Sequence, residues 1–213
     1  MTSFESRDLR GSTFREVDLR DSRFREVWLG NVVMRGVALI DVDIDGEISN
    51  VRINGVYVVP LVEAELDRRM PERTKMRPRD ADGFREAWDV VERLWAGTVD
   101  RARTCSPEQL DESVDGGWSF IRTLRHLVFA TDCWVNRVLL GDPMPFHPLG
   151  QPFDGAEPHP DVVLDIDAEP SLDEVLGLRA DRMATVRRVL DEEWQHPLYA
   201  ERDLDAIQAA RDH

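Results

Sequence analysis

Nine apolar residues fall at every fifth position near the start of the chain: Phe4, Leu9, Phe14, Leu19, Phe24, Leu29, Met34, Leu39 and Ile44. A period of five fits neither the ~3.6 of an α-helix nor the ~2 of an extended strand. A fixed short period calls instead for a solenoid, in which each repeat is one side of a coil. Two positions before many of these residues stands a small or β-branched one: Ser12, Val17, Ser22, Val27, Val32, Val37 and Val42. Arg and Asp fill much of the remainder, and FREV occurs twice. Five residues per side let a residue and the one two before it point inward while the other three face water. The register drifts at Glu47 and Ser49, and Val51, Ile53, Val56 and Val58 read as a terminal β stretch closing at Pro60.

The period then changes. Phe84, Trp88, Val91, Leu94 and Trp95 recur at helical steps and predict a first helix over about 82–103. Ser106 followed by Glu108 marks a short turn. A second helix is expected from Trp118 to Leu140, with Ile121, Leu124, Leu127, Val128, Cys133, Trp134 and Val138 on its apolar side, ended by Gly141-Asp142-Pro143. Residues 141–170 hold seven of the twelve prolines and no helical period, so they form a long connection. Ser171 with Glu174 makes a capping-box start for a third helix from about 172. Between Arg179 and His196 there is no Gly or Pro, and Met183, Val186, Leu190, Trp194 and Leu198 continue one stripe. This reads as a single helix. The polar segment RRMPERTKMRPRD (68–80), with two prolines and the only Lys, reads as a linker. The expected organisation is therefore a solenoid over 1–60, a linker over 61–80 and an antiparallel helical bundle over 81–213.

Charge narrows the partners. The net charge is −15, of which residues 61–213 carry −13, so a general nucleic-acid binder with its basic footprint is excluded. No apolar window of about 18 residues predicts a membrane span, and the N-terminus shows no apolar signal region. Cys105 and Cys133 form neither a disulfide framework nor a CxxC site, which suits a reducing cytoplasm.

Three polar residues could carry chemistry. His126 stands inside the apolar run TLRHLVFATDCW, and Glu192 and His196, four apart, share a helix face in DEEWQH. Two imidazole nitrogens and one carboxylate oxygen can hold a divalent metal and leave positions open for water or substrate. On residue type alone, a histidine in an apolar helix is more commonly a satisfied core residue. Likewise, a Glu/His pair on an acidic face is more commonly solvated. Asp132 and Asp203 could orient ligands or lie in solvent. Trp118, Trp134 and Trp194 read as bundle core, and His147 and His159 as surface residues of the long connection. No GxGxxG, Walker A, GxSxG or HExxH occurs.

Residues 2–46 resemble the pentapeptide-repeat family, whose fold is a right-handed quadrilateral β-helix; about two coils are present, and the resemblance implies a scaffold or partner surface. Residues 81–213 resemble the DinB-like superfamily in WSFIRTLRHLVFATDCWV, GDPMPFHPLG, SLDEVLGLRADRMATVRRVL and LDEEWQHPLYAERDL. That resemblance implies an up-down four-helix bundle with His126, Glu192 and His196 as ligands of Zn, Ni or Mn. It also implies a transferase or isomerase acting on a small-molecule substrate with mycothiol or another low-molecular-weight thiol. The alternative is a non-catalytic scaffold or protein-binding module with a degenerate metal site. The sequence departs from the family pattern in three places: Pro197 follows His196 directly, Cys133 is added, and the turn between helices three and four is missing. With those helices merged, Glu192 and His196 reach His126 only through a break near Asp191 or through helix exchange in a homodimer.

Overall fold

The computed structural model describes residues 3–114, 116–157 and 160–209, those from 192 onward by their backbone alone, and it divides into two units, Met1–Glu47 and Ile48–His213.

In the first unit the five-residue sequence period is also a backbone period. Positive φ recurs at Ser6, Gly11, Glu16, Asp21, Glu26, Asn31, Gly36, Asp41 and Gly46, each two residues after an apolar one. The amides of Ser12 and Ser22 donate to the carbonyls of Leu9 and Leu19 at 3.1 and 3.2 Å, closing four-residue turns. Gly11 and Asp21 occupy the third position of these turns, where a type II turn requires positive φ. The turns do not stack into a β-helix. Among residues 3–47 no strand and no buried residue occurs, and the periodic apolar row is exposed, Phe4 at 68%. The expected inward-facing core is thus corrected. The physical reason is length: two coils have almost no neighbouring coil to pair with, so their ends cannot be covered.

The second unit opens with a two-stranded antiparallel hairpin, β1 (Arg52–Ile53) and β2 (Val56–Tyr57). Asn54 and Gly55 turn it with φ of 50° and 83°, as a type I′ turn requires at both central positions. The stretch expected as a linker is folded. Helix α1 (Val59–Arg69) and a 3-10 helix (Pro71–Met76) occupy it. The Arg73 guanidinium holds Glu63 at 2.8 Å and Asp67 at 2.7 Å, and Arg77 bonds the same two carboxylates at 2.7 and 3.0 Å. Polarity that suits an exposed linker equally suits an ion-paired clasp, and composition does not separate the two.

Helix α2 (Ala81–Ala102) starts where the Asp80 side chain accepts from the Gly83 amide at 2.8 Å. Helix α3 (Pro107–Asp111) starts at a Ser106–Gln109 capping box. Helix α4 (Phe120–Thr131), capped by Ser119, passes into a π-helix over Asp132–Leu139. Helix α5 (Leu172–Ala209) begins at Ser171, whose Oγ accepts from the Glu174 amide while the Glu174 carboxylate accepts from the Ser171 amide. As the unbroken stripe predicts, α5 is one helix of 38 residues and runs through Pro197. Among the described residues, no helix is long and apolar enough to cross a membrane.

The core gathers Ala102, Leu110, Ile121, Leu124 and Val175, with Trp95, Phe120, Leu172 and Leu176 packed around them. Contacts of charged side chains show the helix directions. Arg103 meets Asp173, Arg179 lies over the Trp95 ring, and Arg187 meets Asp89 and Glu92, so α2 and α5 are antiparallel. Val175 shares the core with Leu124 and Arg182 reaches Asp132, so α4 and α5 run the same way. This corrects the up-down order expected for the bundle. Short connections force antiparallel neighbours, whereas the long connection between the π-helix and α5 carries the chain back to the start of α4.

Candidate functional site

Helix α4 carries two adjacent residues with opposite tasks. Arg125 is 4% exposed within the Leu124 and Val128 face. Its Nε donates to the Leu149 carbonyl at 2.9 Å, and Nη1 to the Ile166 and Ala168 carbonyls at 3.2 and 2.6 Å. Nη2 donates to the Asp165 carbonyl. One planar fork thereby ties both arms of the 141–170 connection to α4. The arms are also tied to each other, since the Asp165 amide donates to Pro148 at 2.8 Å. Burial pulls the Arg125 guanidinium below the usual arginine pKa, with the Asp165 carboxylate opposing. Gly150 lets the arm lie this close: a Cβ there would meet the His147 carbonyl oxygen at 3.0 Å and Phe129 Cβ at 3.4 Å.

His126, half-buried, faces the same connection. Its Nδ1 lies 3.0 Å from the Gln151 carbonyl oxygen. A carbonyl only accepts, so Nδ1 carries the proton and the lone pair of the neutral ring is on Nε2. No hydrogen bond to Nε2 is found among the described residues. The Gln151 amide donates to the Arg125 carbonyl at 3.2 Å, closing the loop back onto α4. Trp118 packs on the imidazole with ring centroids 4.7 Å apart. Trp118 is itself held by Asp154, which accepts from its Nε1 at 2.8 Å and from Arg122 at 3.0 Å. Gln151 is 3% exposed, and its Oε1 has no hydrogen-bond partner among the described residues.

The remaining expectations divide. Asp132 is fully buried, but it orients Arg182 rather than His126. Its carboxylate accepts from Arg182 Nε and Nη2 at 2.9 and 3.1 Å, from Asn136 at 2.8 Å and from the His147 amide at 3.1 Å. Trp134, expected in the core, lies in the π-helix and is 68% exposed. Cys133 is a half-buried free thiol. His159 and the side chains of Glu192, Trp194, His196 and Asp203 lie outside the described residues. Among the described residues, no cluster of three His, Cys, Asp or Glu could hold a metal. The helical rise still places the backbone of the last two expected ligands. Asp132 sits level with Arg182, and His126 lies six residues before Asp132. At ~1.5 Å per residue, the α-carbons of Glu192 and His196 lie ~24 and ~30 Å further along an unbroken α5 than His126.

Arg125 and Gln151 were missed in the sequence. The signal for Arg125 was present, as an arginine at a core position of an apolar stripe needs buried acceptors. Gln151, in a connection without period, offered none. A cleft of about 370 Å³ lies near the start of α4, lined by Ser119, Arg122, Arg125, Ile166 and Glu169. His126 does not border it.

The second unit is thus a helical bundle whose long connection fixes one imidazole by a backbone carbonyl. A family model described as the DinB superfamily matches residues 91–211, more than half of the chain, and the chain belongs to that superfamily. No curated protein and no solved structure matches it.

Proposed function

We propose that the chain is a divalent-metal-dependent transferase or isomerase working with a low-molecular-weight thiol such as mycothiol on a small-molecule substrate. His126 would bind Zn, Ni or Mn together with Glu192 and His196. The observation that carries this reading is the hydrogen bond from His126 Nδ1 to Gln151. Metal-bound histidines commonly donate their other ring N–H to a carbonyl or carboxylate, which leaves the ligating nitrogen unprotonated and aimed. The donor set of two imidazoles and a carboxylate suits such metals. When bound, the metal would stabilise a thiolate at neutral pH.

The axial separation along α5 favours a site shared between two copies. His126 of one copy would meet Glu192 and His196 of its partner, the two α5 helices being exchanged in a homodimer. The five-residue repeat would serve as a scaffold or partner surface, and free Cys105 and Cys133 support a reducing compartment such as the cytoplasm.

Subunit complementation tests this. His126→Ala and His196→Ala should each lose the metal. A heterodimer of the two, isolated through different tags, should regain about one metal per dimer against two for wild type. A heterodimer without metal, beside a metal-loaded wild type, refutes exchange. A wild type that takes up no Zn²⁺ or Ni²⁺ refutes the metal reading and favours a non-catalytic binding module.

A further inference from the structure

We propose that Arg125 is a positioning residue for His126: by strapping the 149–168 segment to α4, it holds the Gln151 carbonyl against Nδ1 and leaves Nε2 as the only ring nitrogen able to bind a ligand. The inference rests on the metal reading for its use, though not for its test. The connection between the two residues is continuous and short. Four carbonyls from both arms of the segment converge on one guanidinium. The backbone of Arg125 takes the Gln151 amide, and the carbonyl of Gln151 takes the imidazole proton. Arg125 is 4% exposed, and the four hydrogen bonds of its guanidinium all go to backbone carbonyls of the segment. Its geometry serves to fix the segment. Lysine cannot reproduce it, because a single ammonium does not span four carbonyls as a planar fork does. Gly150 provides the independent handle, since a side chain there must lift the arm off Phe129 and the His147 carbonyl.

The test reads the tautomer directly. Long-range ¹⁵N–¹H spectra in alkaline buffer, where imidazoles are neutral, report which ring nitrogen carries the proton, and His126→Asn assigns the signal. Wild type should show the proton on Nδ1. Arg125→Met, Arg125→Lys and Gly150→Val should shift His126 toward the Nε2–H form. Arg187→Met, which breaks the pairs to Asp89 and Glu92, should leave it unchanged and so controls for general destabilisation. Zn²⁺ affinity should fall ~10- to 100-fold in the three strap variants. A wild-type proton on Nε2 overturns the proposal without any variant. So does an unchanged tautomer in a folded Arg125→Met or Gly150→Val protein. Absence of Zn²⁺ binding in wild type with the expected tautomers overturns the metal reading alone and leaves the strap standing.

Discussion

Replacing Arg182 with Met removes the one cation that reaches Asp132 among the described residues. The Asp132 side chain is 0% exposed and that of Arg182 17%, so the pair is shielded from water on the carboxylate side. After the change, Asp132 keeps the Asn136 amide and the His147 N–H but has no opposite charge. Breaking a buried pair by removing one partner costs ~3–5 kcal/mol, mostly for the orphaned charge rather than for the pair itself. The two retained hydrogen bonds and the partial exposure of Arg182 put the expectation near the lower end, ~3 kcal/mol. That is a large share of the ~5–15 kcal/mol that holds a domain together. Urea unfolding followed by helical circular dichroism at neutral pH measures it. Because the cost lies in the orphaned carboxylate, adding Asp132→Asn should restore ~1 kcal/mol or more, within the coupling seen between contacting residues. A loss for Arg182→Met within ~0.5 kcal/mol, typical of plain surface changes, refutes the reasoning. So does a double variant whose loss equals the sum of the two single ones.

Two further outcomes follow from local structure. Glu63 is held below the usual carboxylate range by its hydrogen bond to Arg73, and Asp67 by its hydrogen bonds to Arg77 and then Arg73. Depressed carboxylate pKa values give stability that is present above the unfolded value and lost as pH falls through the folded one. The clasp joining α1 to the 3-10 helix should therefore loosen only below the normal carboxylate range, read as lost helical ¹³C shifts in 59–76 on acidification, with 81–102 unaffected; a clasp that opens above that range contradicts it. Ser171→Ala should destabilise the start of α5 by ~1 kcal/mol through loss of the cap, measurable by the same urea titration, whereas Ser113→Ala, away from any helix start, should cost much less.

How much was legible depended on whether the physics was local. The starts of α2, α4 and α5 were readable because capping and a 3.6-residue stripe act within a few residues: Ser171–Glu174 announces α5, and the unbroken run from Arg179 announces its continuation. The five-residue period was equally local and reappears as a positive φ at every fifth residue. Whether those turns stack into a closed coil is a matter of how many neighbouring coils exist to cover them, and the periodic row stays exposed. The same limit applied to the 61–80 segment, whose arginines read as linker until Glu63 and Asp67 were brought to them.

For the site, the chain by itself offered only candidate ligands: an imidazole in mid-α4, and a Glu and a His one turn apart on the last helix. Tertiary structure decided what sequence spacing cannot encode. It set α4 and α5 parallel and placed Gln151 on His126. It also sent Asp132 to Arg182 instead of to a ligand. Helical periodicity is a property of neighbours along the chain, whereas a guanidinium gathering four carbonyls across 24–43 residues depends on how a long connection folds back over the bundle.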